Sequence, residues 1–179
     1  MAFFAIPVII QSFAMTSIYS SDVILVKHFF SPHDAGIYAS LSTLGKIILF
    51  AAGPIGSVMF PLVSKRRAKG ENYKRIFMLS FAATAFLSGA ILLVYFLFPS
   101  LAIKLLYGSL FLEAAGLLVW FGIFITCFTL SFLIVNYNLS LGKTRVVIFP
   151  AAAALTQIIF IWIYHQSLFT VILISIIIS

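Results

Sequence analysis

The chain has 179 residues, 63% of them hydrophobic and 8% charged, with a formal net charge of +7 at pH 7. A soluble domain of this size cannot cover so much apolar surface with so few charges, so a soluble fold is excluded and an integral membrane protein is expected. Apolar runs of about 20 residues match a hydrocarbon core of ~30 Å and predict an all-α helical bundle; the short alternating strands of an outer-membrane barrel are not present in the pattern.

Six apolar segments follow one another. The first covers residues 3–29 and the second residues 32–63. A basic loop, SKRRAKGENYKR, runs from Ser64 to Arg75. The third span covers residues 76–98. The linker PSLAIKLLYGSLFLE, Pro99 to Glu113, reads as a short interfacial segment. The fourth span covers residues 114–139. The small loop SLGKTR, Ser140 to Arg145, leads into the fifth, residues 146–164. The sixth, residues 168–179, stops within an apolar run. A chain that opens into one span and stops inside another is expected to be a piece of a longer protein. The start lacks a basic leader and a small-residue cleavage motif, so a cleaved signal peptide is not expected.

Charge placement sets orientation. Lys65, Arg66, Arg67, Lys69, Lys74 and Arg75 crowd one loop against Glu71 alone, and the next loop on that face holds Lys143 and Arg145. The opposite face has Lys27 and Lys104, offset by Asp34 and Glu113. Positive loops stay in the cytoplasm, so both basic loops and the N-terminus are expected there, in the cell membrane. This topological reason accounts for the net charge, and nucleic acid is not expected as a partner. The lone Cys127 gives no disulfide, and the histidines lie at span ends and form no metal set. No catalytic spacing or phosphate-cradling glycine loop is present, so neither an enzyme nor a cofactor is expected.

Local signals add detail. Ser31-Pro32-His33-Asp34 reads as an N-cap serine, a first-turn proline and an acid favoured by the helix dipole. Gly53-Pro54 should bend the second span, either as a static kink or as a hinge. Ser80, Thr84 and Ser88, at four-residue spacing, predict a close helix contact, and Gln157 predicts an interhelical hydrogen bond. The same role is expected of Thr126, Thr129, Asn136 and Ser140.

Two charges lie inside spans. At ~100° per residue, Gln11, Met15, Tyr19 and Asp22 share one side of the first span, with Ser12 and Thr16 beside them. Lys46 shares a face of the second span with Ser42, Thr43, Gly53 and Ser57. Counting ~1.5 Å per residue puts Lys46 about 20 Å from the start of its helix and Asp22 about 10 Å from the end of its own. A direct ion pair is therefore not expected. An intramembrane charge costs ~2.5–3.5 kcal/mol and persists where it faces a bundle interior or a wet cavity. Snorkelling accounts for Asp22 as well as a cavity does, but the Lys46 stem is too short to reach the interface. Lys46, Asp22, Gln11, Tyr19, Ser42 and Thr43 are therefore the candidate substrate-binding residues.

The order of DVILVKHFFSPHDAGIYA, MFPLVSKRRAKGENYKR and FPSLAIKLLYG resembles that in polysaccharide-biosynthesis flippases of the multidrug/oligosaccharidyl-lipid/polysaccharide exporter superfamily. The resemblance implies one six-helix half, the C-terminal one, of a two-bundle transporter that moves lipid-linked oligosaccharide across the cytoplasmic membrane by alternating access. It implies that Lys46 attracts an anionic headgroup and that Asp22 tunes that charge or carries a coupling cation. One bundle cannot enclose a two-lobed cavity, so a second six-helix bundle or another copy is the expected partner, with membrane lipids around both. A small-molecule or lipid exporter of the same superfamily, and a non-transporting membrane scaffold, are the alternatives.

Overall fold

The computed structural model describes the backbone of residues 2–179 and the side chains of residues 6–179. The described residues form α1 (Ala2–Ile18), α2 (Ser21–Phe29), α3 (Pro32–Ala68), α4 (Lys74–Leu97), α5 (Pro99–Tyr107), α6 (Ala115–Ser140), α7 (Ile148–Ile163) and α8 (Leu168–Ile178). Short 3-10 turns, Ser109–Ala114 and Thr144–Val147, lead into α6 and α7. Among the described residues, five helical stretches are long and apolar enough to cross a membrane: Ile6–Phe29, Pro32–Ala68, Lys74–Leu97, Ser109–Ser140 and Thr144–Ile163. Leu168–Ile178 is apolar but shorter. The chain is an all-α, multi-pass membrane bundle, as its composition requires. The expected side of the N-terminus concerns Met1, which lies outside the described residues.

Helix α6 is the centre. It packs against α3, α4 and α8, while α1 packs on α7 and α2 bridges α3 and α7. Lipid tails are as apolar as leucine, so association between these helices rests on close packing rather than on escape from water. Glycines allow that closeness. A Cβ on Gly45 would lie 2.6 Å from the Phe121 ring and 2.9 Å from Ile125, so α3 and α6 meet where no other residue fits. Gly122 lets α6 approach α4, where a Cβ would meet Leu92 at 2.7 Å. Thr84 and Ser88 are buried on α4, which packs on both α3 and α6, the close contact their spacing predicts.

Helix α3 differs from the expected second span in where it ends. It remains helical through Pro54 and Pro61, and it continues past Val63 to Ala68. Apolar pattern marks where lipid ends, whereas backbone hydrogen bonds continue into water. The connection to α4 is therefore short and turns at Gly70, whose φ of 71° suits glycine. The amide of Glu71 returns to the Arg66 carbonyl at 2.9 Å, closing the helix end. At the start of α3 the expected cap is present: the Asp34 amide donates to Ser31 Oγ at 3.1 Å, and that hydroxyl donates to Asp34 Oδ2 at 2.7 Å. The first span is not one helix; it breaks between α1 and α2.

Candidate functional site

Helices α1 and α3 stand apart over α6, and a groove separates them. Its larger part has a volume of ≈ 640 Å³ and is lined by Ser12 and Thr16 of α1, Tyr19 just after it, Phe50, Gly53, Pro54 and Ser57 of α3, and Phe128 and Phe132 of α6, among others. A second cavity of ≈ 310 Å³ shares Ser57 and Phe132 with it and adds Gln11 and Asn136. The groove thus follows α1 from Val8 to its end and on to Tyr19, roughly 15 Å along the helix at ~1.5 Å per residue, about half of a hydrocarbon core. Its walls carry hydroxyls and its floor is aromatic. Tyr19 meets Phe128 edge-on at 5.7 Å. Proline at 54 has no amide for the Phe50 carbonyl, and both residues line this groove.

Lys46 sits beyond one end of the larger cavity, one turn before Phe50. Its ammonium lies 5.5 Å from the ring centroid of Tyr19, a cation–π distance. Among the described residues it makes no ion pair with Asp22 within 4.0 Å, the separation expected from helical depth. Gln11 reaches the other end, where its amide donates to Asn136 Oδ1 at 3.3 Å.

Asp22 is elsewhere. It is 0% exposed, and its carboxylate accepts from the Tyr38 hydroxyl at 2.8 Å and from the Val23 amide at 2.8 Å. It stands in the first turn of α2, where an acid favours the positive end of the helix. The expectation that Asp22 lines the hollow is corrected by the break before it. A face can be extrapolated at 100° per residue only while the helix is continuous, and residues 19–20 interrupt it. The carboxylate therefore turns under Tyr38 rather than following Gln11 and Tyr19.

The break has its own chemistry. Gln157 of α7, fully buried, donates to the Ile18 carbonyl at 3.0 Å and lies 3.0 Å from the Ser175 hydroxyl of α8. A carbonyl that continuous helix would have used internally is thereby satisfied by a neighbouring helix. Gln157 makes the interhelical bond its position predicts. The break itself was missed from sequence, although Ser20-Ser21-Asp22 carries the signal: such residues compete for backbone partners and open helices.

Of the six candidates, Tyr19 and Gln11 reach the groove and Lys46 lies just beyond it. Ser42 does not join them: it is turned into the bundle and buried, its hydroxyl without a partner among the described residues. Thr43 is exposed two turns before Phe50 on the same stripe, outside the cavity, with its hydroxyl bonded back to Ala39. Sequence reading assigned Asn136 to interhelical bonding. The structure shows that bond and also puts Asn136 in the groove wall. The aromatic floor of Phe128 and Phe132 was missed, because nothing in an apolar run distinguishes groove-facing phenylalanines from lipid-facing ones.

A family described as "Polysaccharide biosynthesis protein" matches residues 1–116, which include α1 and α3 on either side of the groove. No curated protein and no solved structure matches the chain.

Proposed function

The chain belongs to the family of polysaccharide biosynthesis proteins, and from that premise we propose that it carries a lipid-linked oligosaccharide across the membrane along the groove between α1 and α3. One observation carries the reading: two spans stand apart over a third and leave a hydroxyl- and aromatic-lined path inside an otherwise apolar bundle. Ser12, Thr16, Ser57, Gln11 and Asn136 supply hydrogen-bonding groups of the kind a sugar engages. Phe128, Phe132 and Tyr19 supply flat apolar faces for sugar rings or an isoprenoid tail. Lys46 supplies one positive charge for a phosphate at the groove end.

The groove is open on one side, so a second bundle or a second copy of the chain closes the path in this reading. The excess of Lys and Arg at the Ser64–Arg75 end supports placing that end in the cytoplasm. Asp22 and Tyr38 do not touch substrate; they tie α2 to α3 beside the break, where a rocking motion of α1 would begin.

The test is export in cells that depend on the full gene for surface polysaccharide. Lys46→Ala is expected to lower export about ten- to hundredfold, the cost of losing one charge-assisted contact, with protein level and thermal midpoint unchanged. Lys46→Arg should retain most export. Unchanged export by the alanine variant would remove Lys46 from the mechanism.

A further inference from the structure

The two basic connections of the bundle form one surface. The Arg67 guanidinium donates to the Leu141 carbonyl, and the Ser64 hydroxyl donates to the Ser140 carbonyl at 3.1 Å. These bonds hold the turn after α6 against the end of α3. They gather Lys65, Arg66, Arg67, Lys69, Lys74, Arg75, Lys143 and Arg145, eight of the chain's eleven lysines and arginines, at one end. The one acid there, Glu71, lies 3.7 Å from Arg66.

Beside the turn opens a cavity of ≈ 520 Å³ lined by Asn138, Gly142, Lys143, Thr144, Arg145, Val146 and Phe149. Its lining is ordered. Lys143, Thr144, Arg145 and Asn138 supply cationic and hydrogen-bonding groups. Val146 and Phe149 supply an apolar wall that continues into α7, within a membrane-crossing stretch. Phe149 is 74% exposed and Ile148 beside it 63%. Among the described residues, neither Lys143 nor Arg145 has a carboxylate within 4.0 Å, and neither side chain makes a hydrogen bond. Two unengaged cations therefore stand at the polar end of a pocket whose other end faces lipid.

We propose that this cavity is a binding site for an anionic glycerophospholipid of the leaflet at the basic end. Lys143 and Arg145 take the phosphate, Thr144 and Asn138 take the glycerol and headgroup oxygens, and Phe149 packs against the acyl chains. The order of these groups, from the turn into the span, is the order of the parts of a phospholipid along the membrane normal. General positive-inside bias explains the sign of the loops, and it weighs all eight cations alike. The cavity singles out two of them. The site is separate from the groove between α1 and α3 and shares no lining residue with it.

Native mass spectrometry of the full purified chain tests this, with phosphatidylglycerol and phosphatidylcholine as probes. The wild type should retain phosphatidylglycerol in preference to phosphatidylcholine. K143A/R145A should lose about a hundredfold or more in phosphatidylglycerol retention, about tenfold or more per charge-assisted phosphate contact. K69A/K74A removes the same charge outside the cavity and should lose less than about fivefold. F149S should weaken retention of phosphatidylglycerol but not of a short-chain analogue. Equal losses in the two double variants, no preference over phosphatidylcholine, or full displacement by millimolar inorganic phosphate would each overturn the proposal. Because Lys143 and Arg145 are exposed, the variants should keep the wild-type thermal midpoint; K143Q/R145Q gives a second reading of the same loss.

Discussion

Replacing Tyr38 by Phe removes one hydroxyl from the interior and leaves the ring in its edge-on contact with Phe121 at 5.5 Å. That hydroxyl donates to Asp22 Oδ2 at 2.8 Å, and among the described residues the only other bond to the carboxylate is the Val23 amide on Oδ1. Both residues are 0% exposed, so water does not replace the lost donor. Stranding a buried acceptor costs about 1–3 kcal/mol. Interhelical bonds measured within membranes come out lower, about 0.6–1.7 kcal/mol, because a chain unfolded in lipid also finds partners. A loss of about 1–2 kcal/mol is therefore expected for Tyr38→Phe. The same substitution made on Asp22→Ala should cost under about 0.5 kcal/mol, since nothing is left to strand. The assay is unfolding of the detergent-solubilised protein by increasing sodium dodecyl sulfate, followed by circular dichroism, for both single variants and the double. Equal costs of Tyr38→Phe in the two backgrounds would refute the pairing, and with it the account of Asp22 as a buried tie between α2 and α3.

Two further outcomes probe the packing and the groove. Gly45→Ala pushes a methyl into the Phe121 ring, 2.6 Å away, with Ile125 at 2.9 Å behind it; overpacking at such a contact should cost about 1–3 kcal/mol in the same unfolding assay. Gly122→Ala meets the movable tip of Leu92 and should cost less. Single cysteines at Thr16 and Ser57, with Cys127 replaced by Ser, should react with a membrane-impermeant thiol reagent, whereas a cysteine at buried Ser88 should react at least about tenfold more slowly. Equal rates at Ser57 and Ser88 would show that the groove is dry, and a scaffold would then fit better than a transporter.

Several features were legible because they are local. The Ser31 cap depends on four consecutive residues, and its two hydrogen bonds form as those residues suggest. Lys46 was placed away from Asp22 by counting along two helices, and the structure shows no ion pair between them among the described residues. Gln157 was read as an interhelical donor because a buried amide in a span has no other partner, and it finds the Ile18 carbonyl. The failures have two causes. The polar face of the first span was drawn across Ser20-Ser21 as though helical phase were kept, so Asp22 was placed beside Gln11 and Tyr19. Ser42 was assigned to the Lys46 face by the same arithmetic, which says nothing about which neighbour covers a side chain.

The amino-acid order by itself determined that this chain lives in a membrane, roughly where its apolar spans lie, and which end carries the positive charge. Those properties follow from transfer free energy and from hydrogen bonds within a segment, and both are set residue by residue. Tertiary structure alone decided that α1 and α3 diverge over α6, that Tyr38 seals Asp22, and that two basic turns meet around a cavity. Each of these depends on contacts between residues far apart in the chain. In lipid, where apolar side chains gain little by leaving their surroundings, such contacts are chosen by shape and by unmet polar groups, and neither can be read from hydropathy.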